Sequence, residues 1–300
     1  MTTADLTLAV DVGGTSVKGE LVDADGRVHA SERAATPHGD AALDAIGLVG
    51  DRLLGAAGAP VAAAGVVVPG LVDPARGVAA YSANIGWRDL AVTGPLGRRW
   101  GVPVRLGHDV ASAAVAELAQ GAGRGCRDVA FVVIGTGVAA VVVAGGRLVT
   151  GHRGEIAEIG HLPLRAGPAC PCGAQGCVEA VASAAAISRR YAELTGLPVE
   201  GAHEVLARSA DDPVAARVWR DAVDVLAEAV AALALVVAPE LVVVGGGLAD
   251  AGPALLDPLA AGLERRCRVV AAPRLARAEL GPRAGVVGAA LLARDGWSTT

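Results

Sequence analysis

The residues best suited to chemistry in this sequence are one histidine and three cysteines that lie close together, His161, Cys170, Cys172 and Cys177. Such a set supplies the four ligands of a closed, tetrahedral structural zinc site. Because a closed site has no position for water, we expect the zinc ion to support the fold. Two alternatives stay open: a chance cluster of buried thiols, and a disulfide, which the short spacing of Cys170 and Cys172 disfavours.

Two acidic residues flank this cluster. Glu158 precedes His161, and Glu179 follows Cys177. A bound zinc ion would fix the loop and leave both carboxylates at its edge, where they can face a ligand. We therefore expect ligand binding beside the metal.

Two glycine-rich turns, each between apolar segments, are candidates for binding phosphate. The first glycine turn contains Gly13, Gly14 and Thr15, preceded by Asp11, and the second glycine turn contains Gly135, Thr136 and Gly137. Glycine lets backbone N–H groups approach an anion closely, and Asp11 is suited to hold a hydrated Mg²⁺ ion. An ordinary β-turn is the alternative for each turn taken alone. Their repetition indicates two similar halves of the chain.

A third glycine run, Gly245, Gly246 and Gly247, follows a buried strand-like segment and precedes a helix near Pro253. This order favours binding of the sugar and base of a nucleotide. The GxGxxG fingerprint is absent because Asp250 occupies its sixth position, which argues against a Rossmann dehydrogenase.

Two further polar residues lie at the ends of predicted elements. Asp109 follows a short strand and begins an alanine-rich helix, so it is either a helix cap or a catalytic group. Asn84 lies in the loop over 82–87 and offers both a donor and an acceptor, which suits a polyol. An asparagine in a loop also often satisfies its own turn.

The predicted elements alternate between strands and helices, as in α/β proteins. Strands are predicted at 6–10, 17–22, 27–34, 61–68, 71–74, 77–81, 102–106, 129–134, 138–143 and 240–244, and helices at 40–57, 109–120, 178–194, 213–237 and 285–293. The 300 residues are enough for two domains with separate cores.

The composition limits the classes of molecule that can be binding partners. The net charge is −5, and no run of Lys or Arg forms a basic stripe, which argues against nucleic acid and anionic membranes as partners. The apolar segments are too short to span a bilayer, and the N-terminus lacks a secretory pattern. We expect a cytoplasmic protein with reduced thiols and a small-molecule partner.

These motifs resemble the ROK family (repressor, open reading frame, kinase), which is part of the sugar kinase/actin/Hsp70 superfamily with its ribonuclease H-like fold. The segment from Glu158 to His161 is similar to the family's sugar-binding signature, and the segment from Cys170 to Glu179 is similar to its zinc signature. The resemblance covers nearly the whole chain. It implies two α/β domains hinged around a cleft, which we expect at 1–110, joined by a helix over 285–296, and at 111–284.

The resemblance also implies an activity: a glucokinase-like transfer of phosphate from ATP, with Mg²⁺, to the 6-hydroxyl of a glucose-type hexose. Asp109 would be the general base, and the two glycine turns would hold the ATP phosphates. The residues implied in sugar binding are Asn84, His108, Glu158, His161 and Glu179, and those implied in adenosine binding are Gly245, Gly246 and Gly247. By the same resemblance we expect a homodimer or a higher homo-oligomer.

Several residues depart from the family pattern near the implied sugar site. His108 and Ala111 replace two asparagines, Ala157 replaces a glycine, and Glu155 adds an acid. Because these changes favour an ammonium group, an amino sugar such as 3-amino-3-deoxyglucose (kanosamine) is the alternative substrate. Neutral drift, with glucose as the substrate, stays open.

Two rival functions remain. Repressors of the family carry a winged-helix domain ahead of the kinase-like part, and with the first phosphate motif beginning at Asp11 we expect no such domain here. A sugar sensor without catalytic activity is the second rival. The release of ADP in the presence of hexoses distinguishes both rivals from a kinase.

Overall fold

The computed structural model describes residues 5–152 and 156–297. They form two compact units. The first unit takes the described residues of 1–120, 150–155 and 282–300, and the second takes those of 121–149 and 156–281.

The elements follow the chain in this order. The strands are β1 (Leu6–Val12), β2 (Ser16–Val22), β3 (Val28–Ala35), β4 (Val61–Val68), β5 (Leu71–Asp73), β6 (Val78–Ser82), β7 (Trp87–Ala91), β8 (Val104–His108), β9 (Val129–Ile134), β10 (Val138–Ala144), β11 (Arg147–Leu148), β12 (Leu241–Gly245) and β13 (Arg274–Arg277). The helices are α1 (Ala41–Gly55), α2 (Thr93–Trp100), α3 (Asp109–Gln120), α4 (Val178–Ala182), α5 (Ala184–Thr195), α6 (Ala202–Arg208), α7 (Pro213–Val237), α8 (Pro253–Arg266) and α9 (Ala284–Asp295). Short 3-10 helices lie at Ile159–His161, Gly247–Ala251 and Gly281–Arg283.

The first unit is built on a mixed sheet in the order β3-β2-β1-β4-β8. β1 pairs antiparallel with β2 and parallel with β4, which pairs parallel with β8. Because α1 covers one face and α9 the other, β1 is apolar along most of its length and does not alternate. Leu8 and Val10 pack in the cluster that includes α1, and Ala9 packs in the cluster that includes α9.

The carboxyl ends of β1 and β8 meet at one edge of this sheet. Asp11 on β1 is in register with Val67 on β4, and the next residue, Val68, is in register with His108 on β8. Neighbouring strands lie about 4.8 Å apart, so the backbones of β1 and β8 are on the order of 10 Å apart. The edge therefore carries Asp11 at the end of β1 and Asp109 just after β8.

A small antiparallel sheet, β5-β6-β7, completes the first unit. The loop that joins β6 to β7 carries Asn84. Within this loop the N–H of Gly86 donates to the carbonyl of Ser82 at 2.8 Å, and the N–H of Ile85 donates to the Ser82 hydroxyl at 3.4 Å. These bonds close the loop without using the Asn84 side chain.

The second unit repeats the arrangement of the first sheet, in the order β11-β10-β9-β12-β13. β9 and β10 form an antiparallel hairpin, and β12 pairs parallel with both β9 and β13. In each unit a glycine turn joins the first two strands. The repetition predicted from the two glycine turns is confirmed.

The long helix α7 is central to the second unit. Pro213 opens the helix, and the Asp212 carboxylate caps it by accepting hydrogen bonds from the N–H groups of Val214 and Ala215 at 2.7 and 3.3 Å. Its buried residues, among them Leu226, belong to one core cluster with β9, β10, β12 and α8. The core of this unit is thus organised by one well-capped helix.

The structure departs from the predicted elements in two ways. The helix predicted over 178–194 is divided at Ser183, whose hydroxyl caps α5 by accepting from the N–H of Ala186 at 3.1 Å. Five elements were missed: α2 contains Gly94 and Pro95, α6 is short, β7 and β11 are edge strands, and β13 is an edge strand with few apolar residues. Within the described ranges, no helix combines the length and the apolar character that crossing a bilayer requires.

Candidate active site

The predicted zinc ligands come together in the second unit. The ligand atoms of His161, Cys170, Cys172 and Cys177 all lie within 4.8 Å of one another. The Cys170 Sγ is 3.7 Å from the His161 Nδ1, and the Cys172 Sγ is 3.6 Å from the Cys177 Sγ. Sulfur ligands about 2.3 Å from a tetrahedral zinc ion are about 3.8 Å from each other, so the spacing fits one zinc ion.

The two alternatives for these residues can now be judged. A disulfide needs sulfurs about 2.05 Å apart, and all the cysteines are free, so the disulfide alternative is wrong. A chance thiol cluster does not explain why the imidazole of His161 completes the set. Burial raises the pKa of the Cys177 thiol to about 12, and a bound cation would instead stabilise the thiolate. A zinc ion would hold these four residues as a closed structural centre.

Arg165 fastens the metal loop, residues 161–177, to α7. Its guanidinium donates to Glu228 at 2.8 and 2.5 Å and to Asp224 at 2.5 Å. Arg266 of α8 donates to Asp224 at 2.6 Å. Hydrogen bonds from Arg165 hold the pKa values of the Asp224 and Glu228 carboxyls below their usual range. Ion pairs therefore tie the loop to α7, in addition to any metal that its four ligands would hold.

The first glycine turn is held by a neighbouring strand. The N–H of Gly13 donates to the carbonyl of Ser16 at 2.9 Å. Thr36, just after β3, donates its hydroxyl to the Gly13 carbonyl at 2.7 Å and its N–H to the Thr15 carbonyl at 3.2 Å. Among the described residues, nothing accepts from the N–H groups of Gly14 and Thr15. Both groups are available to an anion.

The second glycine turn also joins two antiparallel strands, but it encloses three residues between Ile134 and Val138, whereas the first encloses four between Val12 and Val17. The N–H of Gly135 donates to the carbonyl of Gly137 at 2.9 Å, and the N–H of Val138 donates to the Glu179 Oε2 at 3.0 Å. In the part of the chain that the structure describes, the N–H groups of Thr136 and Gly137 have no acceptor. A second anion-binding turn is thus present in the second unit.

The third glycine run lies against the second glycine turn. Gly246 has a φ of 83°, and a side chain on it would collide with the carbonyl of Ile134, the residue before Gly135. Glycine is required there by conformation and by close approach. Gly245 ends β12, Gly247 begins a 3-10 helix, and α8 follows at Pro253. The predicted order of strand, glycines and helix is confirmed.

Asp109 begins α3, and its two carboxylate oxygens have different surroundings. Its Oδ1 accepts from the N–H of Val110 at 2.8 Å and lies 3.4 Å from the His108 Nε2. Its Oδ2 has no partner among the described residues. The hydrogen bond from the N–H of Val110 stabilises the start of α3. The Asp109 Oδ2 is available to a ligand. Ala111, one of the departures from the family pattern, is buried on α3.

Asp11 is a second acid in the same unit. The pKa of Asp11 is raised to about 6, chiefly by burial; Lys18, whose Nζ is 3.7 Å from the Asp11 Oδ2, opposes this rise, and the nearby Asp109 adds to it. A buried carboxylate at the mouth of an anion-binding turn suits a hydrated Mg²⁺ ion, because the cation would offset the cost of the charge.

Asn84 lies beside the first glycine turn. A methyl group on Gly14 would be 3.7 Å from the Asn84 Cβ. Asn84 is exposed, and among the described residues its side chain forms no hydrogen bond, since Ser82 closes the loop instead. The alternative in which Asn84 satisfies its own turn is therefore wrong.

The remaining predicted residues lie along the metal loop. Glu158 is exposed at the start of the 3-10 helix that ends at His161. Ala157, before it, has a φ of 57°, a conformation that favours the glycine it replaces. Glu155 lies outside the described residues. In the first unit the structure thus groups Asn84, His108, Asp11 and Asp109 near the first glycine turn, and in the second it groups Glu158, His161 and Glu179 near the second.

The sequence analysis missed Thr36 and Val138. The pairing of Ser16 with Ala35 carries Thr36 past the end of β3 and onto the turn, so the register of the meander was the available signal. Val138 was predicted only as a strand residue. Its bond to Glu179 joins residues far apart in the sequence, and no local pattern predicts it.

Known proteins resemble this chain over nearly its whole length. A glucokinase of Streptomyces coelicolor is 33% identical over 316 residues, covering 97% of this chain and 98% of that protein. The crystal structure of a ROK hexokinase from Thermus thermophilus has a TM-score of 0.86 at 34% identity, covering 96% and 97% of the two chains. A ROK glucokinase from Streptomyces griseus, solved with glucose and AMPPNP, has a TM-score of 0.82 at 34% identity, covering 97% and 100%.

The family model agrees with these relatives. The model of the ROK family matches residues 7–296, which include both glycine turns, the metal loop and the glycine run before α8. The protein therefore belongs to the ROK family.

Proposed function

We propose that the protein is an ATP-dependent kinase that phosphorylates the 6-hydroxyl of a glucose-type hexose, with Asp109 as the general base. The observation that carries the proposal is the Asp109 carboxylate at the edge of the first sheet, with one oxygen that no described residue contacts by a hydrogen bond, in the same unit as Asp11 and the first glycine turn. The names of the glucokinase relatives support the same reaction.

The chemistry needs one base and several donors. The sugar 6-oxygen attacks the γ-phosphorus of ATP as the bond to the bridging oxygen breaks; ADP leaves with the bond electrons, and Asp109 takes the hydroxyl proton. The free N–H groups of Gly14 and Thr15, with those of Thr136 and Gly137, donate to the phosphates. Mg²⁺, when bound, neutralises phosphate charge, and Asp11 would hold it through water. Gly245, Gly246 and Gly247 would bind the adenosine.

In this proposal the residues that bind the sugar are Asn84, His108, Glu158, His161 and Glu179. The Asn84 amide forms no hydrogen bond to any residue that the structure describes, and Glu158 and His161 are exposed. Among the described residues Glu179 is bonded through its Oε2, which leaves its Oε1 for a sugar hydroxyl. His161 would bind zinc through one ring nitrogen and donate to the sugar through the other.

A coupled assay of ADP release tests the proposal, with ATP, Mg²⁺ and a panel of glucose, mannose, 2-amino-2-deoxyglucose and 3-amino-3-deoxyglucose. We expect ADP release to depend on one of these hexoses and to stop when the 6-deoxy analogue replaces it. A protein that binds a hexose but releases no ADP is a sugar sensor, and the kinase proposal then fails.

The departures near Asp109 favour a second candidate, an amino-sugar kinase. The His108 Nε2 lies 3.4 Å from the Asp109 Oδ1, where it offers one donor or acceptor in a geometry that an amide does not reproduce. Competition kinetics separate the two substrates. If the specificity constant for glucose equals or exceeds those for the 2-amino and 3-amino sugars, the amino-sugar candidate fails and the glucokinase stands.

A further inference from the structure

We propose that Glu179 is a positioning residue that couples the metal loop to the second glycine turn, so that nucleotide affinity depends on this side chain and on the zinc-bound loop. The proposal rests on the proposed function, in which that turn binds ATP phosphates. This positioning role is in addition to the sugar contact proposed for Glu179. All the residues involved belong to the second unit.

The direct contact is a hydrogen bond from the turn to the carboxylate. The N–H of Val138, at the end of the turn, donates to the Glu179 Oε2 at 3.0 Å. Gly137 leaves the space for this approach, because a side chain there would collide with the same oxygen. A hydrogen bond to an ionised acceptor is stronger than one between neutral groups. The carboxylate therefore fixes the last backbone group of the turn.

Two backbone contacts from the same region secure the turn further. The N–H of Ala184, at the start of α5, donates to the carbonyl of Gly135 at 2.8 Å. Gly160 packs so closely on Val138 that a side chain on Gly160 would collide with the Val138 carbonyl. The turn is thus held at its first residue and at its last.

Both ends of the metal loop lead into these contacts. Gly160 directly precedes the ligand His161, and Glu179 is the second residue of α4, which begins just after the ligand Cys177. The two ends are tied together by a hydrogen bond from the N–H of Val178 to the carbonyl of Leu162 at 3.1 Å. A metal that fixes His161 and Cys177 therefore fixes the backbone on which the turn rests.

The consequence concerns the two N–H groups that remain free, those of Thr136 and Gly137. They bind an anion well only if the turn holds them together, because ordering a loose turn costs about 1–2 kcal/mol per residue. Losing the Glu179 carboxylate should therefore weaken nucleotide binding, in addition to any effect on the sugar.

The test measures binding of AMPPNP with Mg²⁺ to the full-length, zinc-loaded protein by calorimetry, in the absence of sugar. We expect Glu179→Ala to weaken binding about tenfold, in line with a lost charge-assisted hydrogen bond. Glu179→Gln keeps an acceptor oxygen, and we expect binding within about threefold of the unaltered protein. Glu264→Ala, an exposed glutamate on α8, is the matched control and should change nothing. Equal affinity of the Ala and Gln variants, or no loss in either, would overturn the proposal.

Two further measurements distinguish a failure of this proposal from a failure of the proposed function. Amide hydrogen exchange of Val138 should be faster in Glu179→Ala than in Glu179→Gln, whatever the protein binds; equal rates would overturn the coupling. Zinc content should be the same in all variants, and loss of zinc from Glu179→Ala would overturn the role of the side chain itself. Failure to bind AMPPNP at all, with a protected Val138 amide, would instead remove the kinase proposal.

Discussion

The two glycine turns each join a pair of antiparallel strands but are supported by different parts of the chain. Thr36, one residue beyond β3, holds the first turn with two hydrogen bonds. The second turn is held by Glu179, with Ala184 and Gly160, at the ends of the metal loop. Similar sheets thus place similar turns, while only the second turn is linked to a metal centre.

The turns also differ in charge. Asp11 precedes the first turn on β1, and Val133 occupies the corresponding position on β9. The first unit has a second acid, Asp109, whose charge raises the pKa of Asp11. The carboxylates of Asp11 and Asp109 near the first turn are suited to a cation and to proton transfer, whereas the carboxylate that meets the second turn, Glu179, accepts a hydrogen bond from the N–H of Val138. The two turns therefore differ in the acids that lie near them and in the contacts that hold them.

The largest expected effect follows from changing Asp109, one of the two acids near the first turn. Asp109→Asn removes the proposed base but keeps an oxygen that can accept from the N–H of Val110. We expect turnover to fall by about 10² or more, with sugar binding and melting temperature nearly unchanged. Asp257→Asn, at an exposed position of α8, is the control for a lost aspartate charge. Turnover close to that of the unaltered protein would leave Asp109 as a helix cap only.

Removal of zinc should affect the second unit, which contains the metal loop. We expect one zinc ion per chain by elemental analysis, and its loss in Cys172→Ser together with a lower melting temperature, because metal binding is coupled to the folding of its loop. Cys126→Ser changes a cysteine outside the metal loop and should keep both. Absence of zinc from the purified protein, or an unchanged melting temperature in Cys172→Ser, would remove the structural metal.

Asp11→Asn should stabilise the protein in Mg²⁺-free buffer. The pKa of Asp11 rises from 3.8 to about 6, chiefly through burial, so its contribution to stability is complete below pH 3.8 and is lost as the pH rises through 6. At pH 8 the buried charge costs on the order of 2–3 kcal/mol, and asparagine avoids it. Thermal melts should therefore show a higher melting temperature for the variant at pH 8, by several degrees, and none of this gain at pH 4. A gain independent of pH would contradict this origin.

Thr36→Val sharpens the comparison with the smallest change. Valine keeps the shape of the side chain and removes the hydroxyl that donates to the Gly13 carbonyl at 2.7 Å. We expect a cost of about 1 kcal/mol in the free energy of unfolding, measured by urea denaturation. The same cost should appear with and without zinc, because the metal loop belongs to the other unit. A cost that changes on zinc removal would contradict the independence of the first turn from the metal loop.

Much of the fold followed from local patterns. The spacing of His161 and the three cysteines predicted the metal cluster, and two turns of the same type predicted the repeated sheet. The apolar run over 61–68 was sufficient for β4 because a strand covered on both faces needs no alternation. The metal cluster and β4 can each be predicted from one short stretch of sequence. The repeat needs only the comparison of two short stretches.

What could not be predicted depends on contacts between distant stretches. The bond from Val138 to Glu179 and the bonds from Thr36 to the first turn exist only once the sheets have formed. The break between α4 and α5 was hidden because Ser183 is compatible with a helix until its side chain caps the next one. β13 was missed because an edge strand bounded by Arg274 and Arg277 has no apolar period.

The most direct test of the comparison is amide hydrogen exchange over residues 13–16 and 135–138, with zinc bound and after its removal by a chelator. We expect exchange over 135–138 to become faster by about tenfold or more when the metal loop loses its ion, because local opening then costs less. Exchange over 13–16 should not change. Equal acceleration of both turns, or none in the second, would contradict the account that the metal loop supports the second glycine turn alone.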